Sequence, residues 1–178
     1  MMSSIRRQLL RFALAFALLM LPSAAMAQAT PHATASSGEF SVMALITADP
    51  AWIKQWSRTD GQPPRLVPAS KVTLGETAQV LVMFYGARPI DGRLQVECDV
   101  TVSLPDGTGG VLPPSPCFDR PLDGPASAVR LLDIDMGVNV EPADPSGLYA
   151  YAIRATDKGS GDTVRVSVSV EVVGGGGT

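Results

Sequence analysis

Val164, Val166, Val168, Val170 and Val172 recur at every second position, with Thr163, Arg165, Ser167, Ser169 and Glu171 between them. A period of two places all five valines on one side of a β-strand and scatters them around a helix, so this stretch is a strand with one face to bury. Tyr149, Tyr151, Ile153 and Ala155 repeat the spacing just upstream, and Lys158-Gly159-Ser160-Gly161-Asp162 between the two runs has turn composition. Residues 147–173 therefore read as a hairpin. A hairpin alone in water is marginal, so its valine side requires a second layer, and the earlier part of the chain has to supply it.

Several runs fit that need. Glu39 to Thr47 carries Phe40, Val42, Ala44 and Ile46; Lys71 to Leu74 is a brief strand; Leu94, Val96, Cys98, Val100, Val102 and Leu104 alternate with polar residues. Thr77 to Tyr85 is apolar on both sides, which suits a central strand, because an edge with two sticky faces invites aggregation. Ala126 to Met136 offers one more strand, and Thr59 to Ser70 and Pro105 to Pro125, rich in Gly and Pro, read as loops. The expectation is an all-β chain, with a single antiparallel β-sandwich of seven or eight strands over 39–173 and one short helix.

Residues 1–27 read as a signal peptide. Arg6, Arg7 and Arg11 precede an apolar run from Phe12 to Leu21, and Ala25-Met26-Ala27 has the small-x-small form of a cleavage site. General secretion is favoured over the twin-arginine route that Arg6-Arg7 partly resembles. No later stretch is long and apolar enough for a transmembrane helix. A periplasmic or secreted mature protein follows. Residues 28–38, made mostly of Ala, Thr, Ser, Pro and Gly, read as a disordered leader containing the one histidine, His32, and residues 174–178 as a flexible tail.

Cleavage after Ala27 removes three of fourteen basic residues and none of seventeen acidic ones, leaving a formal charge near −6. With no basic run, the chain lacks an electrostatic footprint for nucleic acid or an anionic membrane. Two cysteines in an exported chain are most simply a disulfide, Cys98 with Cys117, in preference to a redox or metal role. Asp133 and Asp135 resemble a calcium-binding pair, but calcium takes six to eight oxygens and two carboxylates on one strand read as a solvated face. No metal and no cofactor are expected.

The inventory also argues against an enzyme. One histidine and no Gly-x-Ser-x-Gly, Walker or His-Glu-x-x-His arrangement leave the usual triads and metal sites without parts, although two converging carboxylates of glycosidase type stay open. Asp49-Pro50 reads as a helix start that puts Trp52 and Trp56 four residues apart on one side. That pair either caps an end of the sandwich or forms an aromatic platform.

Asp144-Pro145-Ser146-Gly147-Leu148-Tyr149-Ala150-Tyr151 resembles the turn-into-strand segment of immunoglobulin-like sandwiches, of the kind found among exported proteins of Gram-negative bacteria. The resemblance implies that Tyr149 occupies the corner position and bonds back to the preceding loop. Tyr151 stands where antibody-type domains carry a second cysteine, so Cys98–Cys117 would be a different bridge. The functional expectation is a non-enzymatic binding module that presents loops or a sheet edge to a periplasmic or cell-surface protein. The alternative is carbohydrate binding through Trp52 and Trp56.

Overall fold

The computed structural model describes residues 28–58 and 62–174. The expected signal peptide and residues 175–178 of the expected tail lie outside the described residues. Two five-stranded sheets face one another. The first contains β1 (His32–Ser37), β2 (Phe40–Thr47), β4 (Thr77–Tyr85), β7 (Arg130–Leu131) and β8 (Gly137–Asn139), the last two both lying along β4. The second runs β3 (Lys71–Thr73), β10 (Thr163–Val173), β9 (Gly147–Asp157), β5 (Arg93–Ser103) and β6 (Gly109–Pro121). Among the described residues there is one helix, α1 (Trp52–Trp56), which follows β2. Pairing is antiparallel except where β3 lies parallel to the end of β10. This is the expected all-β sandwich, with ten strand segments in place of seven or eight.

The alternation read from the sequence is the burial pattern of the core. Val164 to Val172 on β10 and Tyr149 to Ala155 on β9 turn their predicted faces inward, where they meet Phe40, Val42, Ala44 and Ile46 of β2 and the even-numbered residues of β4. Ser169 departs from the alternation. It is buried because Thr30, just before β1, reaches the flank of β10, donating its N–H to Ser169 Oγ at 2.9 Å and accepting from Ser169 N–H at 2.8 Å. That crossing closes one side of the sandwich. Asp133 N–H, donating to Cys117 C=O at 2.8 Å, closes the other.

Three expectations give way to the tertiary structure. The leader is not disordered from His32 onward: β1 pairs with β2 from His32↔Leu45 to Ser37↔Phe40. Its own side chains bury little, but β2 is buried on both faces and would otherwise present a bare backbone edge. The proline-rich loop is strand β6, paired with β5 over most of its length. Prolines are tolerated there because β6 is an edge, where missing N–H donors leave no ladder bond unmade. Two extra residues in β6, thirteen opposing the eleven of β5, are absorbed at register shifts beside Val96/Glu97 and Cys98/Val100. Ala126 to Met136 is not one strand, since its contact with β4 breaks between β7 and β8 where Asp133 leans to the second sheet.

The disulfide is present. Cys98 on β5 and Cys117 on β6 are bonded, with Cα atoms 5.6 Å apart and both side chains buried. Cys117 lies at the first register shift, between Pro116 opposite Glu97 and Phe118 opposite Val96, so the bulge turns its sulfur into the core. Phe118 beside it packs edge-on against Phe84, with ring centres 4.9 Å apart.

Candidate functional site

The outward face of the first sheet is apolar where an ordinary sandwich would be polar. Met43 and Leu45 of β2 stand opposite Met83 and Leu81 of β4 on that face, and Leu45, Leu81 and Met83 are buried although no second sheet covers them. The cover is α1 and the segment that returns from it. Asp49 starts the arrangement: its Oδ1 accepts from Ala51 N–H at 2.8 Å and its Oδ2 from the Gln55 side-chain amide at 2.9 Å. Gln55 Oε1 in turn accepts from Arg65 N–H at 3.0 Å, and Ala69 N–H reaches Ile46 C=O at 2.8 Å. The helix and the returning segment are thereby tied back over β2.

Between this cover and the sheet lies a groove of about 580 Å³. Met43, Leu45 and Met83 line it from the sheet, and Trp56, Leu66 and Val129 from the cover and rim. Its polar lining includes His32, Arg58 and Gln62. The volume is in the range of pockets that hold a drug-sized molecule or a few side chains. Two methionine thioethers make the floor adaptable in shape. A half-buried indole adds a rigid flat surface with one N–H donor.

The sequence-predicted residues fall in different places. Trp56 lines the groove and Trp52 does not, so their common helical side does not become a two-ring platform within it. Both indoles are half-buried. His32, read from the sequence as part of a leader, lines the groove because β1 carries it beside Leu45. Asp133 is paired with Arg120 at 2.6 Å, and Asp135 accepts from the Gln79 amide at 3.1 Å. Among the described residues, no three His, Cys, Asp or Glu side chains converge as metal ligands would. No helix among them is long and apolar enough to cross a membrane.

Two supporting residues carry geometry that the sequence reading did not single out. Gln55 bridges helix and returning segment, as described. Asp157 is fully buried at the end of β9, and its carboxylate accepts from Arg88 N–H at 2.9 Å, Gly159 N–H at 3.0 Å, Ser160 N–H at 3.2 Å and Ser160 Oγ–H at 2.7 Å. Tyr149 donates its hydroxyl to Pro145 C=O at 3.0 Å. Burial, with the nearby Asp144 and Asp106 carboxylates, raises the Tyr149 phenol above its ordinary range; burial and then Tyr149 itself raise Tyr151.

No protein-family model matches this sequence, and no curated protein does. Several solved structures align with this chain at low similarity. The Pseudomonas fluorescens alkylpurine DNA glycosylase AlkC aligns at a TM-score of 0.37 and 12% identity, over 58% of this chain and 27% of that one. A family 123 glycoside hydrolase from Clostridium perfringens aligns at 0.41 and 9%, over 75% and 27%. The C-terminal domain of wzt aligns at 0.42 and 12%, over 83% and 81%. This chain spans about a quarter of the length of the first two. The likenesses are to diverse proteins and carry no functional argument, so the function has to be read from the groove.

Proposed function

We propose that this chain is an exported, immunoglobulin-like, non-enzymatic binding module that receives an extended apolar segment of a protein partner in the groove beneath α1. The observation that carries this reading is the groove itself: apolar sheet residues roofed by a hydrogen-bonded helix and segment, open along one side, with an indole at its wall. The bonded Cys98–Cys117 pair and the N-terminal signal sequence support an oxidising, periplasmic setting. The Tyr149 hydroxyl bonded to Pro145 supports the immunoglobulin-like likeness. With both thiols bonded, neither cysteine among the described residues is free to act as a nucleophile, which supports binding over catalysis.

The sequence-based preference for loops or a sheet edge is thereby moved to a sheet face. β6 is an unsuitable edge for added strands, because Pro113, Pro114 and Pro116 remove its donors. Carbohydrate binding is the competing reading, and Trp56 beside polar His32 and Gln62 is the observation that keeps it in view.

A Trp52→Phe variant leaves Trp56 as the one indole and reports on both readings. Titration with short extended apolar peptides is expected to shift its emission, and Val129→Lys at the groove rim to abolish the shift. Emission that responds to oligosaccharides and to no peptide would overturn the proposal in favour of the sugar reading.

A further inference from the structure

We infer that the flank between β1 and β10 takes up an extended segment of another protein, with a carboxylate at its middle, as an added strand. This surface is separate from the groove, and the inference does not depend on what fills the groove. Backbone direction carries it, because the N–H and C=O groups of successive residues in an antiparallel strand point to alternate sides. On β10, Ser169 N–H goes to Thr30 C=O at 2.8 Å and Glu171 N–H to Ser70 C=O at 2.9 Å, both away from β9. Thr163, Arg165 and Ser167 share that parity and face the same way. On β1, Pro31 C=O accepts from Ile46 N–H of β2 at 2.8 Å. Ala33, Ala35 and Ser37 therefore face β2, and His32, Thr34 and Ser36 face the side on which Thr30 meets Ser169.

The two edges lie in register. Thr30 meets Ser169 at one end, and at the other Ser37 Oγ donates to Asp162 Oδ1 at 3.0 Å. Each step forward along β1 matches one step back along β10, which sets His32 against Ser167, Thr34 against Arg165 and Ser36 against Thr163. None of these rungs is made among the described residues: β1 pairs with β2, and β10 with β9 and β3. The seam is tied at its ends and unpaired between them. A strand sits about 4.8 Å from each neighbour, so entry parts the end ties while β1 keeps its ladder with β2. The return is a main-chain ladder on both sides, the recognition used in strand addition. Because β1 borders the seam, a lone extended segment fits there and the edge of a second copy's folded sheet does not.

Side chains set the chemistry of the segment. Ala33, Ala35, Val164 and Val166 flank the seam on the core side. Thr34, Ser36 and Arg165 flank it on the outward side, where all three are exposed. Arg165 stands opposite Arg154 of β9, whose charge Asp99 offsets. An incoming carboxylate beside Arg165 would make a favourable cross-strand pair. The segment thus alternates apolar with polar residues and carries Asp or Glu on its polar side.

Amide hydrogen exchange followed by NMR on the mature protein is the test. In the free protein the N–H groups of Thr34, Ser36, Arg165 and Ser167 should exchange at least about a hundredfold faster than those of Val166 and Val168, which face β9. A blocked seven-residue peptide, valine alternating with threonine and with glutamate at its centre, should slow all four. The same peptide N-methylated throughout should slow none. Arg165→Glu, at an exposed side chain, should weaken the glutamate peptide about tenfold and favour one with lysine at its centre, with circular dichroism checking the fold. Seam amides already slow in the free protein would overturn the inference, as would equal binding of the N-methylated peptide. So would a peptide that leaves the four amides fast; if it nonetheless shifts Trp56 emission in Trp52→Phe, the groove reading stands. Seam protection without an emission shift would support the inference whatever becomes of the groove reading.

Discussion

Replacing Asp157 with alanine should be among the most damaging single changes to this fold, although the residue sits at a surface turn. Its side chain is fully buried and accepts four hydrogen bonds, three from backbone N–H groups and one from Ser160. Hydrogen bonds to a charged acceptor are worth about 1.5–3 kcal/mol each, and a buried donor left without a partner costs about 1–3 kcal/mol. Simple addition overstates the loss, because Gly159 and Ser160 lie near enough to the surface for water to replace part of what is removed. Arg88 N–H is the donor least easily rehydrated, since Gly159 packs against the Arg88 carbonyl so closely that an added Cβ would lie 1.9 Å from it. About 3–5 kcal/mol is the resulting cost, a large share of the 5–15 kcal/mol that stabilises a typical domain. Urea unfolding followed by far-ultraviolet circular dichroism measures it, with an unchanged m-value required. Thermal unfolding should fall by roughly 10 °C. Glu141→Ala, at an exposed position, is the control and should cost under about 0.5 kcal/mol. If the two variants unfold at the same urea concentration, the bonding read from the coordinates does not stabilise the hairpin.

Gly86→Ala should cost well over the roughly 1 kcal/mol of an ordinary left-handed glycine, because its Cβ would lie 1.9 Å from the Glu39 carbonyl; Gly92→Ala, at nearly the same φ but in open space, should show only the smaller cost in the same urea assay. Replacing both cysteines with alanine should cost about 3 kcal/mol for a loop of about twenty residues, seen as a lower unfolding midpoint of a chain that still folds. Burial raises the phenols of Tyr149 and Tyr151 in the folded state above the ordinary tyrosine range, near 10. Their contribution is therefore complete below about pH 10 and is lost as pH rises through the folded values, so stability measured from pH 8 to 12 should begin to fall above pH 10. Tyr149→Phe should cost about 1 kcal/mol through the lost Pro145 bond and reduce that fall.

What could be read in advance, and what could not, divides along the range of the interactions. The valines of β10, the paired face of β9 and the alternation of β5 are local patterns whose period states a burial demand whatever lies opposite. The bridge between Cys98 and Cys117 was legible from their even number in a sequence read as exported. Thr77 to Tyr85 also announced that both its sides would be covered, and this was the one signal pointing to the groove, because the outward cover had to come from somewhere. Trp56 was visible as a candidate, but its separation from Trp52 was not, since that depends on how Gln55 and Asp49 seat the helix.

The sequence by itself determined that this chain is a two-layer β protein with a bridged pair of cysteines, because side-chain period and residue count express local demands for burial and covalent closure. Only the tertiary structure decided that His32 to Ser37 is a strand, that the prolines from Pro113 to Pro121 lie on one, and that an apolar groove opens beneath α1. Each of these is set by a partner far away in the chain: β1 is ordered by the backbone edge of β2, β6 by β5, and the groove by a helix folded back over residues that meet only once the sheet has formed. Backbone pairing depends little on side-chain identity, so composition alone understated what those segments could become.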